Sequence, residues 1–284
     1  MKKISSYIRR LIKFVLSGEP KMSIKADIKL LSPNGRLAGK NIVVTGGGRG
    51  IGYAIAKKIV AEGANVLIAG RNEETLKISA DELHCNYIKV DVQCVSDFGS
   101  FIQAADGILG RIDCVVNNAG ISLHEKSFFD VTIDSYDKQM NTNLRSCVFL
   151  SQAFLNYVLE RKIDNASLLL ISSEVGELAD NRPYGWTKAA INSLVKGLAS
   201  NFAKDGIRVN AISPGITCTD MTGFKSDENL FVRTNATNRA YLPEEVAEVA
   251  CFLLSDCSKC LSGQIIVCNN GKTIYTREKI ERNG

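Results

Sequence analysis

Apolar positions along the chain switch between two patterns. Short runs that are apolar almost throughout occur at 41–45, 65–69, 86–90, 112–116, 167–172, 207–212 and 264–268. Between them lie stretches with helical spacing, roughly 50–62, 72–80, 96–109, 134–161, 184–204 and 244–254. The first pattern predicts strands buried on both faces, and the second predicts amphipathic helices. Their regular alternation predicts an α/β fold, a doubly wound parallel sheet in which ligands bind outside the carboxyl ends of the strands. No internal repeat or low-complexity segment interrupts it, so residues 37–271 read as a single domain.

One stretch organises that domain. Thr45-Gly46-Gly47-Gly48-Arg49-Gly50-Ile51-Gly52 follows the apolar run Asn41-Ile42-Val43-Val44 and precedes a helical segment from Tyr53. Glycines let a strand-to-helix turn adopt positive φ and bring its backbone close to a bound group. The free N–H groups and dipole of the following helix favour a pyrophosphate. The position between strand and helix gives an otherwise common glycine pattern its weight.

Composition narrows the class. Apolar residues make up 45% of the 284 and charged residues 23%, ordinary for a soluble globular protein. The formal charge of +5 is uneven. Residues 1–36 carry nine Lys or Arg against Glu19 and Asp27, a surplus of seven, which leaves the remainder two below neutrality. A mildly acidic body argues against nucleic acid as the main partner. Nine cysteines without framework spacing predict reduced, mostly buried thiols in a cytoplasmic protein. Cys257 and Cys260 lack the second pair or nearby histidines that a zinc site would want, so no metal is expected.

The basic segment 1–36 reads as an extension. Ile4, Tyr7, Ile8, Leu11, Ile12 and Val15 fall at helical spacing among Lys2, Lys3, Arg9, Arg10 and Lys13. No run there is long enough to span a bilayer. A peripheral contact of residues 1–18 with an anionic membrane, docking on a partner subunit and a frayed tail all remain open. Residues 19–36 read as a polar linker and 272–284 as a polar tail.

Four motifs then occur in register: the glycine turn, Asn117-Asn118-Ala119-Gly120, Tyr184-Gly185-Trp186-Thr187-Lys188, and Pro214-Gly215 with Thr219. Their order and spacing over about residues 38–271 resemble the short-chain dehydrogenases/reductases (SDRs), most closely the 3-oxoacyl-acyl-carrier-protein reductase type. The resemblance implies a Rossmann fold and a nicotinamide cofactor held by Gly46, Gly48, Arg49, Gly50, Ile51 and Gly52. Asp91 and Val92 would sit at the adenine, with Asn117, Ala119 and Gly120 lining the cleft. Pro214, Gly215, Ile216 and Thr219 would hold the nicotinamide end, beside Tyr184 and Lys188.

Tyr184 and Lys188 are four apart at a helix start and share a face. A lysine ammonium near the phenol is expected to lower its pKa, so that Tyr184 exchanges a proton with a carbonyl oxygen. By resemblance Ser173 polarises that carbonyl, with Ser172 as the alternative register, and Asn143 supports a water-linked proton relay to Lys188. The segment between Ser173 and Tyr184 is about two residues shorter than the family's. Trp186 stands where a small residue is common and is expected to pack or meet another subunit.

Cofactor choice follows from charge. An acid at the end of the second strand would bind the ribose 2′-hydroxyl of NAD and repel a 2′-phosphate. The chain has Gly70-Arg71-Asn72 there, and Arg71 with Arg49 suits a 2′-phosphate, which favours NADP(H) over NAD(H). Residues 220–242 fall where the family keeps its substrate lid, and Lys225, Arg233 and Arg239 there read either as contacts for a phosphorylated or carrier-bound substrate or as solvated lid charges.

These readings converge on an NADP(H)-dependent reductase. It would convert a small-molecule or carrier-bound ketone or 3-oxoacyl carbonyl to a secondary alcohol, with Tyr184 as general acid. A non-catalytic nucleotide-sensing or scaffold protein and a membrane-surface reductase of lipid or glycan synthesis are the alternatives. The resemblance also implies a homo-oligomer, a tetramer or dimer.

Overall fold

The computed structural model describes residues 35–224 and 229–274. The helical reading of 1–18, nearly all of the 19–36 linker and the tail from residue 275 lie outside the described residues.

Seven parallel strands form one sheet in the order β3-β2-β1-β4-β5-β6-β7. They are β1 (Asn41–Thr45), β2 (Asn65–Gly70), β3 (Asn86–Lys89), β4 (Cys114–Asn117), β5 (Ser167–Ile171), β6 (Arg208–Pro214) and β7 (Ile265–Cys268). The helices are α1 (Gly50–Ala61), α2 (Glu73–Leu83), α3 (Phe98–Leu109), α4 (Ile133–Gln139), α5 (Ser146–Arg161), α6 (Pro183–Phe202) and α7 (Pro243–Leu254). This is the doubly wound parallel sheet that the alternating pattern predicts.

Side-chain alternation along the strands builds two cores. Ile42 and Val44 of β1 face α1, α2 and α7, whereas Val43 faces α3, α5 and α6. The register places Val43 between Leu67 of β2 and Val115 of β4, and all three are fully buried. Each such side chain contributes about 2 kcal/mol relative to exposure. Chain order reverses between β1 and β4, which opens a crevice at the carboxyl ends of these two strands.

Arg36 pairs with buried Glu62, and Leu37 is buried with its N–H donating to the Glu62 carbonyl at 3.0 Å. This ion pair pulls the Glu62 carboxyl down to about 2.

Two expectations need correction. The helix expected over 134–161 is divided by a π-helical turn, Met140–Arg145, which holds Asn143. Such wide turns recur at functional sites because they re-aim a side chain. Of the nine cysteines only Cys114, Cys147, Cys218 and Cys251 are buried; Cys94, Cys257 and Cys260 are exposed. Cys114, Cys147 and Cys251 are buried because β4, α5 and α7 turn them into the core, whereas the exposed three lie in short connecting segments.

Candidate active site

The glycine turn lies at the mouth of the crevice. Gly46 and Gly50 have φ of +65° and +56°, a region that costs other residues strain. A Cβ at Gly46 would come within 2.8 Å of Asn118 Nδ2, and one at Gly52 would run into the Gly46 carbonyl. The side chain is therefore excluded by packing as well as by conformation. Thr45 Oγ1 accepts from the N–H groups of Asn118 and Ala119 at 3.1 and 3.2 Å, and Asn118 Nδ2 donates to the Thr45 carbonyl at 2.9 Å. These bonds clamp the turn against the segment after β4. Thr45 and Asn118 carry that clamp although only their neighbours stood out as binding residues; their place inside two of the motifs was the available signal.

The loop after β6 reaches the same turn. A Cβ on Gly50 would stand 3.4 Å from Thr219 Cγ2, so Thr219 lies over the start of α1. Gly215 N–H donates to the Cys268 carbonyl at 3.0 Å, and the Ile216 carbonyl accepts from Tyr241 N–H at 2.9 Å. Asp91, beyond β3, accepts from Gln93 N–H at 3.0 Å, and Val92 is buried beside it. Asn117 is turned inward and donates to the Cys147 carbonyl at 3.2 Å.

The two arginines are placed differently. Arg71 is exposed directly after β2. Arg49 is 74% exposed and lies 3.2 Å from Asp220, bridging the glycine turn and the loop after β6.

Chemistry concentrates where β5 ends and α6 begins. Pro183 occupies the first helical position, which suits its missing N–H, and Tyr184 follows. Lys188, one turn on, is only 4% exposed. Its Nζ donates to the Ile171 carbonyl at 2.8 Å and lies 5.5 Å from the Tyr184 ring centroid. Burial lowers its pKa to about 8, opposed by the nearby Cys147 thiol. Burial pushes the Tyr184 phenol above its ordinary value, against a hydrogen bond from Ser173. The expected lowering of the phenol by Lys188 is therefore absent from the structure, where desolvation dominates.

The two serines separate cleanly. Ser173 is half-buried beside the Tyr184 phenol, whose rise in pKa it opposes. Ser172 is buried, and its hydroxyl donates to the Lys188 carbonyl at 3.2 Å. Asn143, 1% exposed, accepts from Ile121 N–H and donates to the Ile121 carbonyl, both at 2.8 Å, with Thr187 Oγ1 at 3.3 Å. A Cβ on Gly120 would approach both Asn143 Oδ1 and Lys188 Nζ, at 3.4 and 3.8 Å. Ser173, Tyr184, Lys188, Asn143 and Gly120 thus surround one corner of the crevice.

The short segment after Ser173 is pinned by Asp180. Its carboxylate pairs with Arg182 at 3.0 Å, its carbonyl accepts from Trp186 Nε1 at 2.8 Å, and its side chain fills the space of a Cβ on Gly185. Trp186 packs against Phe128 and Tyr136, with ring centroids 6.4 and 6.3 Å away. Of the cations at 220–242, Arg239 makes a paired contact with Glu245 at 2.6 and 2.8 Å and lies over the Tyr241 ring. Arg233 is exposed, and Lys225 lies outside the described residues.

A parallel sheet with a glycine-turn crevice and a Ser-Tyr-Lys corner defines a nucleotide-dependent oxidoreductase fold, and the chain belongs to the short-chain dehydrogenase/reductase family. The family model described as Enoyl-(Acyl carrier protein) reductase matches residues 46–273. The chain is 32% identical over 247 residues to the 3-oxoacyl-[acyl-carrier-protein] reductase FabG of Chlamydia pneumoniae, covering 84% of this chain and 98% of that one. It is 33% identical over 258 residues to the oxidoreductase UcpA of Salmonella typhimurium, covering 84% and 97%. A crystal structure of a short-chain type dehydrogenase/reductase from Mycobacterium marinum is similar, with TM-score 0.79 and 27% identity over 87% of this chain and all of the other. The protein is an SDR oxidoreductase, and membership implies a nicotinamide cofactor. The glycine turn fits one, since its backbone is bare of side chains where the helix dipole of α1 points into the crevice.

Proposed function

We propose that this oxidoreductase reduces a ketone or 3-oxoacyl carbonyl to a secondary alcohol with NADP(H). The carrying observation is the buried ammonium of Lys188, held by the Ile171 carbonyl at 2.8 Å and lying 5.5 Å from the Tyr184 ring centroid at the crevice. A serine hydroxyl beside a tyrosine phenol suits a carbonyl oxygen, which needs a donor to orient it and a proton to complete the alcohol.

Gly46, Gly48, Gly50, Ile51 and Gly52 would hold the pyrophosphate, Asp91 and Val92 the adenine, and Pro214, Gly215, Ile216 and Thr219 the nicotinamide end. The bound cofactor supplies hydride to the carbonyl carbon. Ser173 donates a hydrogen bond to the carbonyl oxygen and Tyr184 transfers its phenolic proton to it. Lys188 lies behind the ring of the phenolate left behind, and Asn143 holds the Ile121 backbone beside the route by which Lys188 returns a proton. The absence of an acid at the end of β2, together with exposed Arg71 and Arg49, supports NADP(H) over NAD(H).

Oxidation of NADPH and NADH, followed by nicotinamide absorbance against a ketone panel headed by an acetoacetyl thioester, tests this reading. Turnover that prefers NADPH and disappears in Tyr184→Phe is expected. Tight NADPH binding with no turnover across the panel would favour a nucleotide-sensing role instead.

A further inference from the structure

Behind the candidate serine lies a charged cluster that the proposed chemistry does not use. Glu174, next to Ser173, is 4% exposed. Its Oε1 accepts from Lys272 Nζ at 2.6 Å and its Oε2 from Asn269 Nδ2 at 3.0 Å. The same ammonium donates to Asn235 Oδ1 at 3.2 Å. Asn235 is buried within the 229–241 leg and organises it, donating from Nδ2 to the Arg239 carbonyl at 2.7 Å and from its N–H to the Val232 carbonyl at 3.1 Å. Asn269 in turn donates to Thr273 Oγ1 at 3.1 Å and packs on Gly215, where an added Cβ would lie 3.1 Å from its own Cβ.

One lysine near the carboxyl end therefore joins three parts of the site: the turn that begins at Ser173, the leg at 229–241, and the end of β7 beside Gly215. Glu174 and Asn235 are both buried, so their polar atoms need partners, and Lys272 satisfies one acceptor on each. An ion pair shielded in this way resists solvent screening better than the exposed Arg49–Asp220 pair.

We propose that Lys272 is a positioning residue, a clamp that ties the substrate-side 229–241 leg to the turn carrying Ser173. The inference rests on the reading of Ser173 and of that leg as the substrate side of the site. Removal of the ammonium leaves Glu174 with Asn269 alone and frees Asn235 from the body, so the leg loosens while the glycine turn keeps its own clamp through Thr45 and Asn118.

The test compares the full chain with Lys272→Met, Lys272→Arg and Asn235→Ala, each first shown to unfold cooperatively. Trypsin cleavage after Arg233, exposed on the leg, is read by mass at a temperature well below unfolding. Lys272→Met is expected to speed that cleavage about tenfold, and Lys272→Arg to return it to within about twofold of the wild type. In turnover, Lys272→Met is expected to raise KM for the carbonyl substrate about tenfold while kcat stays within about twofold and cofactor affinity is unchanged. Asn235→Ala keeps the Glu174–Lys272 pair and is expected to speed cleavage as well, which covers the case in which Lys272→Met does not fold. Unchanged cleavage in both Lys272→Met and Asn235→Ala, or an arginine variant no better than methionine, overturns the clamp. Should the wild type prove protected at Arg233 yet silent in turnover, the reductase reading would fall, while faster cleavage in the variants would still uphold the clamp.

Discussion

Lys188 Nζ donates to the Ile171 carbonyl at 2.8 Å while standing 5.5 Å from the Tyr184 ring centroid. A single ammonium thus ties the end of β5 to the first turn of α6 and lies behind the phenol. The bond fixes the helix against the strand whose continuation carries Ser173. The cost is a cation held in an apolar interior with a carbonyl as its hydrogen-bond acceptor.

That cost has a pH signature. The folded pKa of Lys188 is about 8 against an ordinary 10.5. Between these values the folded chain binds fewer protons than the unfolded chain, so this residue makes stability rise with pH through that window. Below about pH 8 both states carry the proton and the full penalty is present. Lys188→Met is therefore expected to be more stable than the wild type at neutral pH, by about 2 kcal/mol after allowing for the lost hydrogen bond. The advantage should shrink as pH rises toward 10.5. Urea denaturation of both proteins at neutral and alkaline pH checks it, and a gap independent of pH would refute it.

The adjacent serines give a second contrast. Ser173 stands beside the Tyr184 phenol, whereas Ser172 is spent on the Lys188 carbonyl. Ser173→Ala is expected to lower kcat by about a hundredfold or more with cofactor affinity and melting temperature nearly unchanged. Ser172→Ala should instead cost about 1 kcal/mol of stability and leave most of kcat. Steady-state kinetics and thermal melts of the two variants separate the registers, and the reverse pattern would move the role to Ser172.

Much of this was legible in the sequence because it rests on short-range pattern. The uniformly apolar runs around Val43, Leu67 and Val115 could only be strands covered on both faces, and the glycine turn lay between one of them and a helix. The four-residue spacing of Tyr184 and Lys188 likewise fixed their common face. What escaped depended on long-range packing. The π turn at Met140–Arg145 has no composition of its own; it carries Asn143, which bonds the Ile121 backbone across the fold. The direction of the Tyr184 shift depends on how deeply the fold buries the phenol, and spacing alone carries no burial. Lys272 reads as the start of a polar tail until the fold brings Glu174, 98 residues earlier, within 2.6 Å.

The short segment before Tyr184 yields a prediction of a steric kind. Asp180 occupies the volume that a side chain at Gly185 would need. Gly185→Ala is expected to destabilise the protein by about 1–3 kcal/mol, although alanine is the better helix former. Asp180→Gly should itself destabilise by removing the Arg182 pair, yet the double variant should lose less than the sum of the two single changes. A double-mutant cycle by denaturant unfolding measures the coupling; strictly additive losses would mean that Asp180 yields at no cost.

The rim arginines govern the last prediction, which concerns cofactor choice. Arg71 stands exposed after β2, and Arg49 meets Asp220 across the mouth of the crevice. A 2′-phosphate adds about two negative charges at pH 7, so an arginine that receives it is worth about 1.5–3 kcal/mol to NADPH and little to NADH. Arg71→Ala is accordingly expected to weaken NADPH about tenfold or more while leaving NADH within about twofold. Arg49→Ala should have the same sign. Asp220→Ala, by releasing Arg49 from its carboxylate, should tighten NADPH modestly and not NADH. Fluorescence titrations of both cofactors against the three variants decide it. Equal losses for the two cofactors would mean that these arginines act on the shared pyrophosphate or on local folding. Indifference in all three would remove the charge argument for NADP(H) and leave the chemistry at Tyr184 untouched.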